Sequence, residues 1–196
     1  SREVIVFASH GHGDHFTPTI FEWQDGNKGV KYILSSDIEL QQDTQDIIFI
    51  SPGHKYQVGN VAIEALDSTD LGVAFLVSCD GITIFHAGDL NWWHWQEDSD
   101  AENSAMADKY KEQIDLLKGK TIDLAFIPVD PRLEEYYGLG ITYFMQVVGA
   151  NKVFPMHFGM DYSVFEKLNH DLPTEHLERL VEITPTDRKF TYRARP

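Results

Sequence analysis

Ser9-His10-Gly11-His12-Gly13-Asp14-His15 is the stretch from which the rest of the chain is read. Three histidines and an aspartate crowd into six residues, directly after the apolar run Val4-Ile5-Val6-Phe7-Ala8. Imidazole and carboxylate suit a borderline divalent cation. A His-x-His pair at the end of a strand can aim both rings at one ion. Asp14 and His15, one turn further on, can reach a second ion beside it. The interleaved glycines allow the backbone to turn that tightly.

Two later stretches supply matching groups. His86-Ala87-Gly88-Asp89 closes an apolar run, and Lys152-Val153-Phe154-Pro155-Met156-His157 ends another in a histidine. With His10-x-His12-x-Asp14-His15 they stand in the order seen in the metallo-β-lactamase superfamily, which this chain resembles. The nearer likeness is to small bacterial hydrolases of the lactonase-like branch, ascorbate-6-phosphate lactonases included.

The resemblance implies an α/β fold of the αββα sandwich type: two mixed sheets face to face, with helices on both outer faces. It implies one or two divalent ions at one edge, zinc first; an aspartate in place of an imidazole at the first site would favour manganese or iron. It also implies hydrolysis by a metal-bound hydroxide. Carried over residue by residue, His10 and His12 hold the first ion, and Asp14, His15 and His157 hold the second. Asp89 bridges the two ions. Asp14 and Asp89 are the carboxylates assigned to catalysis. His86, inside its strand, is a core or supporting residue.

The family pattern breaks at one place. Relatives supply a further histidine after a strand between the His-rich loop and the bridging aspartate. Here Val61–Leu66 is followed by Asp67-Ser68-Thr69-Asp70. Either Asp70 or Asp67 replaces the imidazole, making the first site more oxygen-rich, or that site binds weakly. His54 precedes the strand and is too early to substitute.

The substrate side offers two pairs of alternatives. In Trp92-Trp93-His94-Trp95, the indoles either cover the sheet end as core or wall the metals, with Trp93 and His94 near the substrate. In Asp130-Pro131-Arg132, the two charges either pair to fix a loop, or Arg132 binds a substrate carboxylate or phosphate.

Composition narrows the class. The 196 residues, 42% of them hydrophobic, fit one domain over 1–196 with a real core. Ser1-Arg2-Glu3 runs straight into a strand, whereas relatives carry several strands before the His-rich loop. The expectation is therefore a domain lacking its N-terminal strands. A net charge of −15 repels nucleic acid, so a small-molecule substrate is expected. No apolar run is long enough for a membrane span and no signal peptide is visible. The single Cys79 suits a reducing cytoplasm.

Short apolar runs bounded by turn residues, with alternation at Val61–Leu66, predict strands at Val4–Ala8, Lys31–Ser35, Ile47–Ile50, Val61–Leu66, Gly72–Cys79, Ile82–His86, Thr121–Val129, Lys152–Gly159 and Phe190–Tyr192. Helices are expected from Thr17-Pro18 onward, at 37–42, 104–117, 140–148, 162–169 and 174–181. The segment 96–102 reads as an acidic loop.

Overall fold

The computed structural model describes residues 4–24, 29–40, 46–186 and 189–193. Two sheets form. β1 (Val4–Ala8), β2 (Val30–Ser35) and β3 (Ile47–Ile50) make one, in the order β1-β2-β3, parallel throughout. β4 (Lys55–Val58), β5 (Val61–Asp67), β6 (Val73–Cys79), β7 (Ile82–His86), β8 (Leu124–Pro128) and β9 (Lys152–Met156) make the other, in chain order. It is antiparallel from β4 to β7 and parallel from β7 to β9.

The period of two along each strand sorts side chains into layers. Ile5, Phe7, Ile33 and Ile48 of the first sheet meet Val61, Ile63, Ala65, Val73 and Phe75 of the second in one core. Phe7 packs edge-on against Phe75 with ring centroids 5.2 Å apart. The intervening residues Val4, Val6, Ala8, Tyr32 and Leu34 point outward, under Ile20 and Phe21 of the 3₁₀ segment Pro18–Gln24. On the far side of the second sheet, Ala74, Leu76, Phe85 and Ala125 pack with helices α1 (Asp100–Asp115), α2 (Leu139–Val147) and α3 (Ser163–Asp171). Phe85 stacks on Phe144 of α2 at 5.6 Å. The four layers expected are present, with two differences: the smaller sheet is purely parallel, and its described outer cover is a 3₁₀ segment.

Local chemistry sets several boundaries. The turn between β6 and β7 puts Asp80 at φ 50° and Gly81 at φ 77°. An Asp-Gly pair tolerates this left-handed turn and pins the register Cys79↔Ile82. α1 begins four residues before the expected 104. Ser99 accepts from the Glu102 N–H, and Glu102 accepts from the Ser99 N–H, so the start is a capping box inside the supposed acidic loop. Ser99→Ala should therefore cost about 1 kcal/mol in a urea melt. A loss below the error of the melt would mean that the box is not formed.

β4 is absent from the expected set because its alternate side chains Lys55 and Gln57 are exposed and polar on an edge strand. No helix forms at 37–40, and residues 41 and 42 of that expected helix lie outside the described residues. Residues 190–192 form no strand: Phe190 instead packs edge-on against Phe154, and the Tyr192 hydroxyl donates to Asp123. α4 (Thr174–Leu177) is shorter than expected. Among the described residues, no helix is long and apolar enough to cross a membrane.

The parallel pairing of β7, β8 and β9 aligns His86 with Phe126 and Pro128 with Met156. All three strands therefore end at one edge. The loops leaving that edge carry Asp89, Asp130 and His157.

Candidate metal centre

β1 delivers the His-rich loop to the same edge. His10 is fully buried, and its Nδ1 lies 3.0 Å from Ser9 Oγ, which leaves Nε2 facing Asp89. The loop then turns sharply: the N–H groups of His15 and Phe16 both donate to the His12 carbonyl at 2.9 Å. Gly11 N–H donates to Asp37 Oδ2 at 2.8 Å, tying the loop to the chain beyond β2.

The residues fall into two groups whose ligand atoms lie within 4.8 Å of one another: His10, His12 and Asp89; and Asp14, His15 and His157. Asp89 stands between them. Its Oδ2 is 3.2 Å from His10 Nε2, while its Oδ1 is 3.3 Å from His15 Nε2 and 3.5 Å from His157 Nε2. His157 sits at φ 66°, an uncommon conformation that swings its ring off the end of β9.

His10 Nε2 and Asp89 Oδ1 are both buried and neither makes an aligned hydrogen bond. Orphaned buried ring nitrogens and carboxylate oxygens are costly, and a cation in each group would compensate them. The donor set therefore fits two divalent ions. Burial alone would push the Asp89 carboxyl up, but the surrounding histidines outweigh it and hold the group below its usual range. Burial lowers His86 to about 4, so its ring is neutral and its Nδ1 accepts the Gly88 N–H at 3.1 Å. His86 thus shapes the turn that presents Asp89.

Asp130 resolves the loop alternative in part. It accepts from Nε and Nη2 of Arg132, and its Oδ2 takes the Nδ1–H of His157 at 3.1 Å. The carboxylate thereby directs His157 Nε2 toward Asp89 and is itself held well below its ordinary range, because these two partners overcome the effect of burial. Asp130→Asn should weaken metal affinity at the Asp14–His15–His157 group about 10- to 100-fold in a chelator competition. Unchanged affinity would remove Asp130 from that role.

The tryptophans divide. Trp93 is buried, donates its Nε1–H to the Asp89 carbonyl at 3.0 Å and meets His157 edge-on at 5.5 Å. Trp95 stacks on Trp93 at 6.1 Å with planes 4° apart. Trp92 turns away toward Tyr110 and Lys111. His94 lies on the Tyr136 ring at 3.8 Å and is not among the residues lining the cavity beside Trp93.

Asp70 is exposed and lines that cavity with His12 and Asp89, but it belongs to neither ligand group. Thr69, in the segment after β5, is buried and donates its hydroxyl to the Asn91 carbonyl at 2.6 Å. His54 belongs to neither group and bonds Pro52. Asp37 and Thr69 were not foreseen as supports of the site. Their bonds span 26 and 22 residues, and nothing in a local motif marks them.

Two cavities of about 690 and 410 Å³ open over the centre and share Asp14, Arg132 and His157 in their walls.

No protein-family model and no curated protein sequence matches this chain. Solved structures do. Igni18, a metallo hydrolase from the archaeon Ignicoccus hospitalis, superposes with a TM-score of 0.59 at 14% identity, over 96% of this chain and 80% of that one. YhfI from Bacillus subtilis, a metallo-β-lactamase fold protein, gives 0.56 at 13% identity, over 86% and 72%. CmlA, a diiron β-hydroxylase from Streptomyces venezuelae, gives 0.52 at 12% identity, over 82% of this chain and 37% of its own. The chain has the metallo-β-lactamase fold.

Proposed function

We propose that this chain is a metal-dependent hydrolase acting on a small ester, lactone or similar substrate. One observation carries the reading: the two oxygens of Asp89 face different ligand groups, an arrangement that would suit a carboxylate shared by two cations. His10, His12 and Asp89 would hold one ion, and Asp14, His15, His157 and Asp89 the other, with Asp70 at hand beside the first. Four imidazoles favour zinc. Bound there, divalent cations supply the acidification of water and the electrophilic assistance that hydrolysis at neutral pH requires.

The chain's own residues do the rest. Asp130 fixes the ring of His157. Trp93 and Trp95 give the smaller cavity an apolar wall that excludes bulk water from one side. To Asp14, largely exposed, we assign the transfer of a proton from the reacting water or to the leaving group. The acidic surface supports a small substrate over a nucleic acid.

The test compares 4-nitrophenyl esters, a panel of lactones and bis(4-nitrophenyl) phosphate with zinc-loaded and chelator-stripped protein. Turnover of an ester or lactone that is lost on stripping and restored by zinc is expected. Turnover of the phosphodiester alone would make the protein a phosphodiesterase. No turnover of any of them would leave a metal-binding protein without hydrolase activity.

A further inference from the structure

The two cavities over the centre meet at Arg132. Among the described residues lining them, it is the one lysine or arginine, against the carboxylates of Asp14, Asp70, Asp89, Asp130 and Asp161. Its guanidinium is held but not used up. Asp130 occupies the Nε–Nη2 edge, and among the described residues Nη1 has no hydrogen-bond partner. The end-on Nη1–Nη2 fork is therefore open, on a side chain that is 66% exposed. That fork matches a planar oxyanion in two-point contact. The guanidinium lies 5.8 Å from the ring centre of Trp95, so an anion docked there sits beside the Trp93–Trp95 stack.

Resting on the hydrolase reading above, we infer that the substrate carries a carboxylate, anchored by the open fork of Arg132, and an apolar body lying against Trp93, Trp95 and Met106. One positive charge amid several carboxylates favours a monoanion over a phosphate dianion. It also gives an acidic protein a local way to hold a substrate that its overall charge repels. Asp130 then has two tasks on one side chain: it orients the metal-facing ring of His157 and sets the direction of the anchor.

The experiment uses the zinc-loaded full chain with two esters of similar size, neutral 4-nitrophenyl butyrate and the mono-4-nitrophenyl ester of glutaric acid. Arg132→Gln should lower kcat/KM for the carboxylate ester about 10- to 100-fold, mostly through KM, and for the neutral ester by less than about 3-fold. Benzoate, titrated against tryptophan fluorescence, should bind Arg132→Gln at least about 10-fold more weakly than wild type. Equal losses on both esters, or unchanged benzoate affinity, would overturn the anchor. If wild type hydrolyses neither ester, the hydrolase reading falls, and the benzoate titration alone decides whether Arg132 binds a carboxylate.

Discussion

Asp89→Asn is expected to leave a folded protein that no longer holds two metal ions. Asparagine keeps the shape of the side chain and its place in the turn after β7, where the Asp89 carbonyl accepts from Trp93 Nε1. It loses the charge and one of the two oxygens that face the ligand groups. Bound metal should drop from two ions per chain to one or fewer in elemental analysis. Hydrolysis should fall by about 10³-fold or more, since a metal supplies several kcal/mol of transition-state stabilisation. The control is the melt in excess chelator: without metal the variant should still unfold cooperatively, only a few degrees below wild type, the difference being the lost pairing of the carboxylate with the surrounding histidines. A variant that still binds two ions would end the bridging assignment.

Gly72→Ala should damage the fold itself. A Cβ on Gly72 would lie 2.0 Å from the Ser9 carbonyl oxygen and 2.5 Å from His10 Cβ, and the residue sits at φ 74°. The next residue, Val73, donates its N–H to that same carbonyl at 2.9 Å. Relief by moving the chain would break this link between β6 and the His-rich loop and displace the buried His10 ring. Clash and left-handed strain together should cost more than about 4 kcal/mol. The variant is expected to be insoluble, or to melt far below wild type and bind no metal. Gly13→Ala is the contrast. Nothing lies within 4 Å of a Cβ there, so the loss should stay below about 1 kcal/mol. Similar melts for the two variants would show that β6 and the loop are not packed as described.

The fold was legible where one physical rule acts locally. The apolar runs Val4–Ala8 and Gly72–Cys79 and the alternation along Val61–Leu66 mark strands, and the Asp80-Gly81 pair marks the turn into Ile82–His86. The grouping of the candidate ligands was legible because strand ends and short spacings confine them: His10-x-His12 falls to one group and Asp14-His15 to the other. What escaped lies in contacts between distant segments. Asp37 reaches Gly11 from beyond β2, and Thr69 reaches the chain after Asp89; both depend on how loops meet at the sheet edge. One of the two readings of Trp92-Trp93-His94-Trp95 puts His94 near the substrate; successive residues of an irregular segment point in different directions, and its ring goes to Tyr136. β4 was missed because a polar edge strand has no apolar period to read. The start of α1 was misplaced because acidic residues mark helix N-termini as well as solvated loops.

The central claim is that Asp89 joins two cations, and anomalous diffraction from crystals grown with zinc tests it most directly. The account predicts two peaks, one among His10, His12 and Asp89 and one among Asp14, His15 and His157, with a different Asp89 oxygen facing each. A single peak away from Asp89, or no peak at either group, would contradict it.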